Sequence, residues 1–153
     1  MAHLTWKKDL ETGIDVIDGQ HKQIVSYINK LDDARVTKNR VVIAKVIDDT
    51  VDYTVSHFGF EETLIEDAGY EFTRPHKRVH ELFIKRVSEY KQRFDDGEDI
   101  ADDLHGLLSR WLFSHIQNDD AAYVESVQAS LAKLEKNNKK QGFFARSLKK
   151  FFG

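Results

Sequence analysis

Four stretches of this chain repeat apolar residues every three to four positions, and each stretch carries histidine on its apolar face. Residues three or four apart share one face of an α-helix, so this spacing predicts four amphipathic helices. We place them at residues 18–35, 39–67, 74–95 and from 101 onwards, with Asp18 as the expected N-cap of the first helix and Thr73 as that of the third. Short connections favour antiparallel neighbours. The pattern therefore predicts an all-α fold: an antiparallel up-down-up-down four-helix bundle, with an N-terminal arm and a short C-terminal amphipathic extension.

The histidines on these stripes are the main candidates for function. One buried histidine is usually a hydrogen-bonded core residue, but burying several beside a carboxylate is costly unless something pairs with them. In an up-down bundle all of these positions fall near the same end. Nitrogen and oxygen donors aimed into one gap suit a pair of metal ions. The candidate ligands from the helical stripes are His21, His57, Glu61, His76, His80 and His115.

A second carboxylate follows His115, and spacing leaves its identity open. In an ideal α-helix Asp119 shares the face of His115, whereas Asp120 points about 140° away. The segment from Gln117 to Asp120 is rich in side chains that compete with helical hydrogen bonds. A helix loosened there would present Asp120 instead, so both aspartates remain candidates.

Composition limits the chemistry. The chain has no cysteine, which excludes disulfides, iron–sulfur clusters and thiolate zinc sites. Neither a signal peptide nor an apolar run of about 18 residues is present, and we expect a cytoplasmic protein. Residues 1–132 carry 16 basic and 25 acidic residues, a net charge of −9, whereas residues 133–153 carry seven and one, a net charge of +6. An acidic body argues against nucleic-acid binding.

The division in charge suggests a bundle domain at residues 1–132 and a basic amphipathic tail at 133–153. We expect Gly142 to separate the last bundle helix from residues 142–153. On a helical wheel Phe144, Leu148, Phe151 and Phe152 lie on one side, with Arg146, Lys149 and Lys150 opposite. Such a helix suits docking to an anionic membrane surface or to a protein. The alternatives are that it folds back on the acidic bundle or only adds solubility.

Several motifs together resemble the hemerythrin family, in particular its bacterial single-domain members. The resemblance spans about residues 6–125. It rests on Gly13-Ile14-Asp15, Asp18-Gly19-Gln20-His21, the His-Phe-x-x-Glu-Glu of residues 57–62, the His-x-x-x-His of residues 76–80, and Trp111-Leu112 followed by His115-Ile116-x-x-x-Asp120. The family motif places an aspartate five residues after histidine, so the resemblance selects Asp120.

The resemblance implies a non-haem centre of two iron ions. It assigns His76, His80 and His115 to one iron and His21 and His57 to the other, with Glu61, Asp120 and a hydroxo or oxo group as bridges. Three bridging donors and three histidines give the first iron six ligands, whereas the second iron has five. The open position is where the family takes dioxygen as a ligand. The resemblance also implies an apolar pocket formed by Ile24, Phe58, Trp111, Leu112, Ile116 and Tyr123.

The function implied is reversible dioxygen binding by a monomeric oxygen carrier or store that delivers dioxygen to oxygen-consuming partners. Such a protein is not an enzyme, although weak di-iron redox activity is compatible with the site. The alternatives are a sensor of oxygen, iron or redox state, and a di-iron oxidoreductase acting on peroxide or nitric oxide.

Overall fold

The computed structural model describes residues 3–153, and it is helical with no strand in that range. The α-helices are α1 (Asp15–Thr37), α2 (Arg40–Asp67), α3 (Thr73–Asp95), α4 (Ala101–Ser114), α5 (Val124–Lys136) and α6 (Lys140–Phe152). A 3₁₀ turn at Lys8–Leu10 interrupts the N-terminal arm. The predicted all-α bundle is confirmed. Across residues 3–153, none of the helices combines the length and apolarity that a membrane crossing requires.

The fourth rod of the bundle is longer than a single α-helix. Between α4 and α5 the chain forms a π-helix at His115–Asp120 and a 3₁₀ turn at Ala121–Tyr123. The residues at these junctions keep right-handed helical dihedral angles, so the chain stays helical from Ala101 to Lys136. The predicted tail boundary after residue 132 therefore falls inside α5.

Two helix starts differ from the sequence prediction. We predicted Asp18 as the N-cap of the first helix, but α1 begins at Asp15. The Asp18 carboxylate instead reaches back to the arm and accepts hydrogen bonds from Thr12 N and Thr12 Oγ1, both at 2.8 Å, and from Gly13 N at 3.1 Å. Thr73 does not cap α3 either, because its hydroxyl donates to the Tyr70 carbonyl oxygen at 2.7 Å.

Two groups of buried apolar side chains form the core. The larger group lies among α1 to α4 and includes Ile28, Leu31, Ile47, Phe83 and Leu104. The smaller group joins the start of α1 and the end of α2 to α5 and α6, and it includes Ile17, Phe60, Ile65, Tyr123, Val127 and Phe143. Each of these side chains is at most 8% exposed. Along the sequence, the polar residues predicted as ligands lie near the points where residues of one group give way to residues of the other.

The C-terminal helix folds back onto α2. The Phe144 ring stacks on Phe60 with centroids 6.4 Å apart, and Phe152 packs against Tyr53 at 5.2 Å. Gly142 was predicted to separate the tail, but it lies within α6. The chain turns instead at Asn138, whose φ of +57° is a left-handed conformation that asparagine tolerates better than most residues. The apolar face of this helix therefore packs on the bundle, as in the alternative that the tail folds back.

Two helical glycines test the contact between α6 and α2. A Cβ added at Gly59 would lie 2.5 Å from the Phe151 ring, whereas one added at Gly19 meets nothing within 4 Å. Gly19→Ala should raise the free energy of unfolding by about 0.5–1 kcal/mol, as expected for a helix interior. Gly59→Ala should instead lower it by about 1 kcal/mol, because the overpacking penalty exceeds that gain. Urea titration measures both, and equal stabilisation would contradict the packing of α6.

Candidate metal centre

The structure brings all seven residues that were predicted as ligands into one buried cluster. Four separate helical segments supply them, and each residue is at most 4% exposed. His21 comes from α1, His57 and Glu61 from α2, His76 and His80 from α3, and His115 and Asp120 from the π-helix. The spacing of four on α2 and on α3 works as expected, because both members of each pair face the cluster.

The candidate ligand atoms fall into two groups that share one residue. Within each group the nitrogen and oxygen atoms all lie within 4.8 Å of one another. The larger group is Glu61, His76, His80, His115 and Asp120, and the smaller is His21, His57 and Glu61. This partition into three and two histidines matches the assignment implied by the sequence resemblance.

Glu61 divides its two carboxylate oxygens between the groups. Its Oε1 lies 2.7 Å from Nε2 of His76 and 3.1 Å from Nε2 of His80. Its Oε2 lies 3.2 Å from Nε2 of His57 and 3.8 Å from Nε2 of His21. One carboxylate therefore faces both groups of histidines with different oxygens, which is the arrangement a bridging ligand requires.

Asp120 divides its two carboxylate oxygens between the two groups in the same way. Its Oδ1 lies 3.1 Å from Nε2 of His115 and 3.2 Å from Nε2 of His76. Its Oδ2 lies 3.1 Å from Nε2 of His21. Asp120 is fully buried, and both oxygens point into the cluster rather than towards solvent. Two carboxylates thus connect the same two groups.

The π-helix explains why Asp120 enters the cluster although ideal α-helical spacing would place Asp119 on the face of His115. A π-helix closes its hydrogen bonds from residue i to i+5, so the residue five positions after His115 returns to the same face. That residue is Asp120, which enters the cluster. Asp119 remains beside the ring of His115 on the outside, where its Oδ2 accepts a hydrogen bond from Nδ1 at 2.7 Å. The two aspartates therefore have different positions and different roles.

Three polar side chains outside the cluster fix the orientation of the imidazole rings. Besides Asp119, the Gln20 side-chain oxygen accepts from Nδ1 of His57 at 2.6 Å, and Glu62 accepts from Nδ1 of His80 at 3.0 Å. Such bonds hold a ring so that its other nitrogen is free to bind a metal. Sequence reasoning names Gln20 and Glu62 only as parts of the family motifs and gives neither a role. The available signal was adjacency in sequence, because Gln20 precedes His21, Glu62 follows Glu61 and Asp119 precedes Asp120.

Several atoms of the cluster lack ordinary hydrogen-bond partners, which is what a metal-ligating set requires. Within residues 3–153, both ring nitrogens of His21 and both carboxylate oxygens of Asp120 are buried without an aligned hydrogen bond. The Nε2 atoms of His80 and His115 face each other at 3.0 Å. Neighbouring ligands of a six-coordinate ion with bonds of about 2.1 Å are about 3.0 Å apart. The donor atoms therefore fit metal ions between them.

The electrostatics of the cluster favour added positive charge. Burial alone would lower the pKa of His115, but Asp120 and Asp119 outweigh it and raise that pKa to about 12. Burial likewise opposes protonation of His21 and His76, yet Asp120 and Glu61 raise both pKa values to about 9. Two buried carboxylates thus draw protons onto the imidazoles. Metal ions would replace those protons, so acid should weaken metal binding.

Aromatic rings enclose the three-histidine side of the centre. Phe58 stacks on His80 with centroids 3.8 Å apart and planes 7° apart, and Trp111 stacks on His115 at 4.4 Å. The predicted pocket residues Ile24, Leu112 and Ile116 are buried, whereas Trp111 is half-buried.

Tyr123, also predicted for the pocket, contacts the candidate ligand Glu61 directly. Its hydroxyl donates to Oε2 of Glu61 at 3.0 Å, and its side chain is fully buried. Burial, together with the negative charge of Glu61, raises the pKa of the Tyr123 hydroxyl well above its usual value, so the hydroxyl keeps its proton. Tyr123 therefore steadies the carboxylate that connects the two groups.

Sequence reasoning missed one aromatic neighbour of the centre. Trp6, in the N-terminal arm, lies with its ring centroid 6.4 Å from that of His21. The arm is fastened to α1 by Asn29, whose side chain exchanges two hydrogen bonds with the Leu4 backbone. The arm therefore covers the two-histidine side of the centre.

Comparison with known proteins gives consistent matches. Residues 12–127 match the family model of the hemerythrin HHE cation binding domain. A bacteriohemerythrin of Pseudomonas aeruginosa is 61% identical over 153 residues, covering all of both chains. A bacteriohemerythrin of Methylococcus capsulatus is 34% identical over 80% of this chain and 95% of the relative. A wild-type hemerythrin crystal structure, 32% identical, has a TM-score of 0.79 and covers 82% of this chain and 98% of that one.

Proposed function

We propose that this chain, which belongs to the hemerythrin family, binds dioxygen reversibly at a non-haem di-iron centre and serves as an oxygen carrier or store. One observation carries the proposal: Glu61 and Asp120 each direct one oxygen to a three-histidine group and the other to a two-histidine group. The unequal number of histidines leaves one of two bridged metal ions with fewer protein ligands. When bound, the iron pair would supply the redox-active position to which dioxygen attaches.

We assign the ligands as the sequence resemblance does. His76, His80 and His115 hold one iron, His21 and His57 hold the other, and Glu61 and Asp120 bridge them. The close approach of these side chains and their burial support the assignment. Gln20, Glu62 and Asp119 hold three of the rings in place, and Tyr123 holds Glu61.

The composition of the centre favours binding over oxidation of a substrate. Di-iron sites that activate oxygen for chemistry are typically built from Glu and Glu-x-x-His motifs, with more carboxylates. Here five imidazoles accompany two carboxylates, so the ligands supply less negative charge to stabilise highly oxidised iron. The apolar side chains around the rings also exclude water. We therefore propose a carrier rather than an enzyme, and the monomeric state and cytoplasmic location remain predictions.

Truncating the apolar side chains beside the histidines, here called the apolar wall, should shorten the lifetime of the oxygenated protein. Trp111→Ala removes the ring stacked on His115, and Leu112→Ala opens a buried position on the same helix turn. Either change should speed autoxidation about tenfold, which corresponds to about 1.4 kcal/mol in the barrier, because water and protons enter. The decay of the visible charge-transfer band measures this rate.

Leu104→Ala provides the control for that measurement. Leu104 is 1% exposed, but it lies about three turns before His115 on the same rod. Its truncation should cost stability without changing autoxidation. If all three variants autoxidised at the wild-type rate, the apolar wall would have no protective role.

Repeated oxygenation of the iron-loaded protein tests the proposed function. The protein is reduced, exposed to air, and then flushed with argon while its visible absorption is followed. A carrier should gain and lose the same band over many cycles. A single irreversible change to the ferric form would contradict carriage and would favour a sensor of oxygen, iron or redox state. Catalytic loss of added peroxide or nitric oxide would favour an oxidoreductase.

A further inference from the structure

The C-terminal helix has a basic face that the fold does not use. Its apolar side packs on α2 through Phe144 and Phe152. At 100° per residue, Lys139, Arg146, Lys149 and Lys150 lie within about 100° of one another, and the centre of this arc is more than about 100° from both phenylalanines. All four are exposed. The helix thus holds its positive charges outward in a fixed arrangement.

These charges are not neutralised by the rest of the described chain. None of the four residues forms an ion pair with any residue of the range 3–153, whereas Lys140 lies 3.8 Å from the Glu135 carboxylate. Residues 139–153 contain no acidic residue. Glu66 of α2 interacts electrostatically with Lys150, but the Glu66 carboxylate forms a salt bridge with Nζ of Lys77 at 2.8 Å. The basic face is therefore available to an external anion.

We propose that this basic face docks the protein on an anionic lipid bilayer surface. Clusters of lysine and arginine on an amphipathic helix are attracted to such surfaces. The fixed helix of 13 residues is about 20 Å long and presents its charges along one line, which suits a planar array of phosphates. Because residues 1–132 carry a net charge of −9, the bilayer would also repel the body and orient the protein with α6 towards the lipid.

The packing of the aromatic rings of α6 favours lipid over nucleic acid. Single-stranded nucleic acids are bound by basic grooves with aromatic rings on which bases stack. In α6 the rings of Phe144 and Phe152 face α2 and its neighbours, so they are not presented on the basic face. The same packing means that docking is peripheral and electrostatic, without insertion of the phenylalanines. Binding should therefore be reversed by salt.

Vesicle co-sedimentation of the full-length protein tests the proposal. We expect binding to vesicles of phosphatidylcholine mixed with phosphatidylglycerol at low salt, and little binding to phosphatidylcholine alone. Replacing Arg146, Lys149 and Lys150 together by glutamine should lower the partition coefficient about a hundredfold, since each basic residue near an anionic surface contributes severalfold. The substitutions leave the apolar face of α6 unchanged.

A matched variant removes the same charge from another surface. Arg74, Lys85 and Arg86 are exposed on α3, and replacing all three by glutamine should leave vesicle binding within about twofold of wild type. A third variant, Arg146→Lys with Lys149→Arg and Lys150→Arg, keeps the charge and should bind like wild type. Far-UV circular dichroism checks that each variant is folded.

Three results would overturn the proposal. The first is an absence of wild-type binding to the anionic vesicles at low salt, including the case in which the protein binds only nucleic acid or an acidic protein. The second is an equal loss of binding in the α6 and α3 variants. The third is equal binding to neutral and anionic vesicles.

Discussion

Glu61→Gln leaves the protein with at most one metal ion per chain after iron-replete expression. Glu61 is the residue common to both groups of candidate ligands, and its oxygens lie 2.7 Å from Nε2 of His76 and 3.2 Å from Nε2 of His57. Glutamine keeps the size of the side chain, but it replaces one oxygen by an amide nitrogen that does not bind metal and removes the negative charge. Elemental analysis of the purified variant measures the effect, with circular dichroism to verify the fold.

The adjacent residue supplies the control. Glu62→Gln makes the same chemical change one position along α2, where the carboxylate only accepts a hydrogen bond from Nδ1 of His80. Loss of such an orienting partner typically costs a factor of about 10–100 in metal affinity. Glu62→Gln should therefore retain both ions at saturating iron and release them faster to a chelator. Equal metal content in the two variants would refute the bridging role of Glu61.

Asp120→Asn should also abolish the metal pair, whereas Asp119→Asn should preserve it. Asp120 is fully buried, and its two oxygens face His21 and His115, each at 3.1 Å. Asp119 touches only the outer nitrogen of His115. The first variant should bind at most one ion per chain, and the second should bind two with an affinity about 10–100 times weaker.

This pair of variants also tests the π-helix. The measurements are the metal content of each variant and the rate at which a chelator removes the metal. If Asp119→Asn lost the pair and Asp120→Asn kept it, the segment after His115 would be an ordinary α-helix in solution. That result would also place Asp119, rather than Asp120, in the metal centre, as ideal helical spacing suggests.

The architecture was predictable because burial of an apolar stripe dictates helix packing. The stripe of α3, which runs through His76, His80, Phe83 and Val87, is buried as its spacing indicates. The same periodicity predicted that the five histidines and Glu61 would lie near one end of the bundle. Periodicity could not choose between Asp119 and Asp120, because the choice depends on one extra residue in a helical turn. Only the family motif made that distinction before the structure did.

Contacts between distant segments were beyond the reach of local patterns. Gln20 lies 37 positions before its partner His57, and Trp6 reaches His21 only because the arm folds over α1. The helix cap assigned to Asp18 failed for a similar reason, since its carboxylate is engaged by Thr12 and Gly13. The packing of α6 on α2 depends on the space left at Gly59, which helical periodicity does not encode.

The number of iron atoms held by each chain tests the central claim most directly. Four helical segments present seven buried donors in two groups that share Glu61. After expression with ample iron and removal of loosely bound metal, elemental analysis against protein concentration should give two irons per chain. A value of one or fewer, reproduced after anaerobic reconstitution, would contradict a di-iron centre.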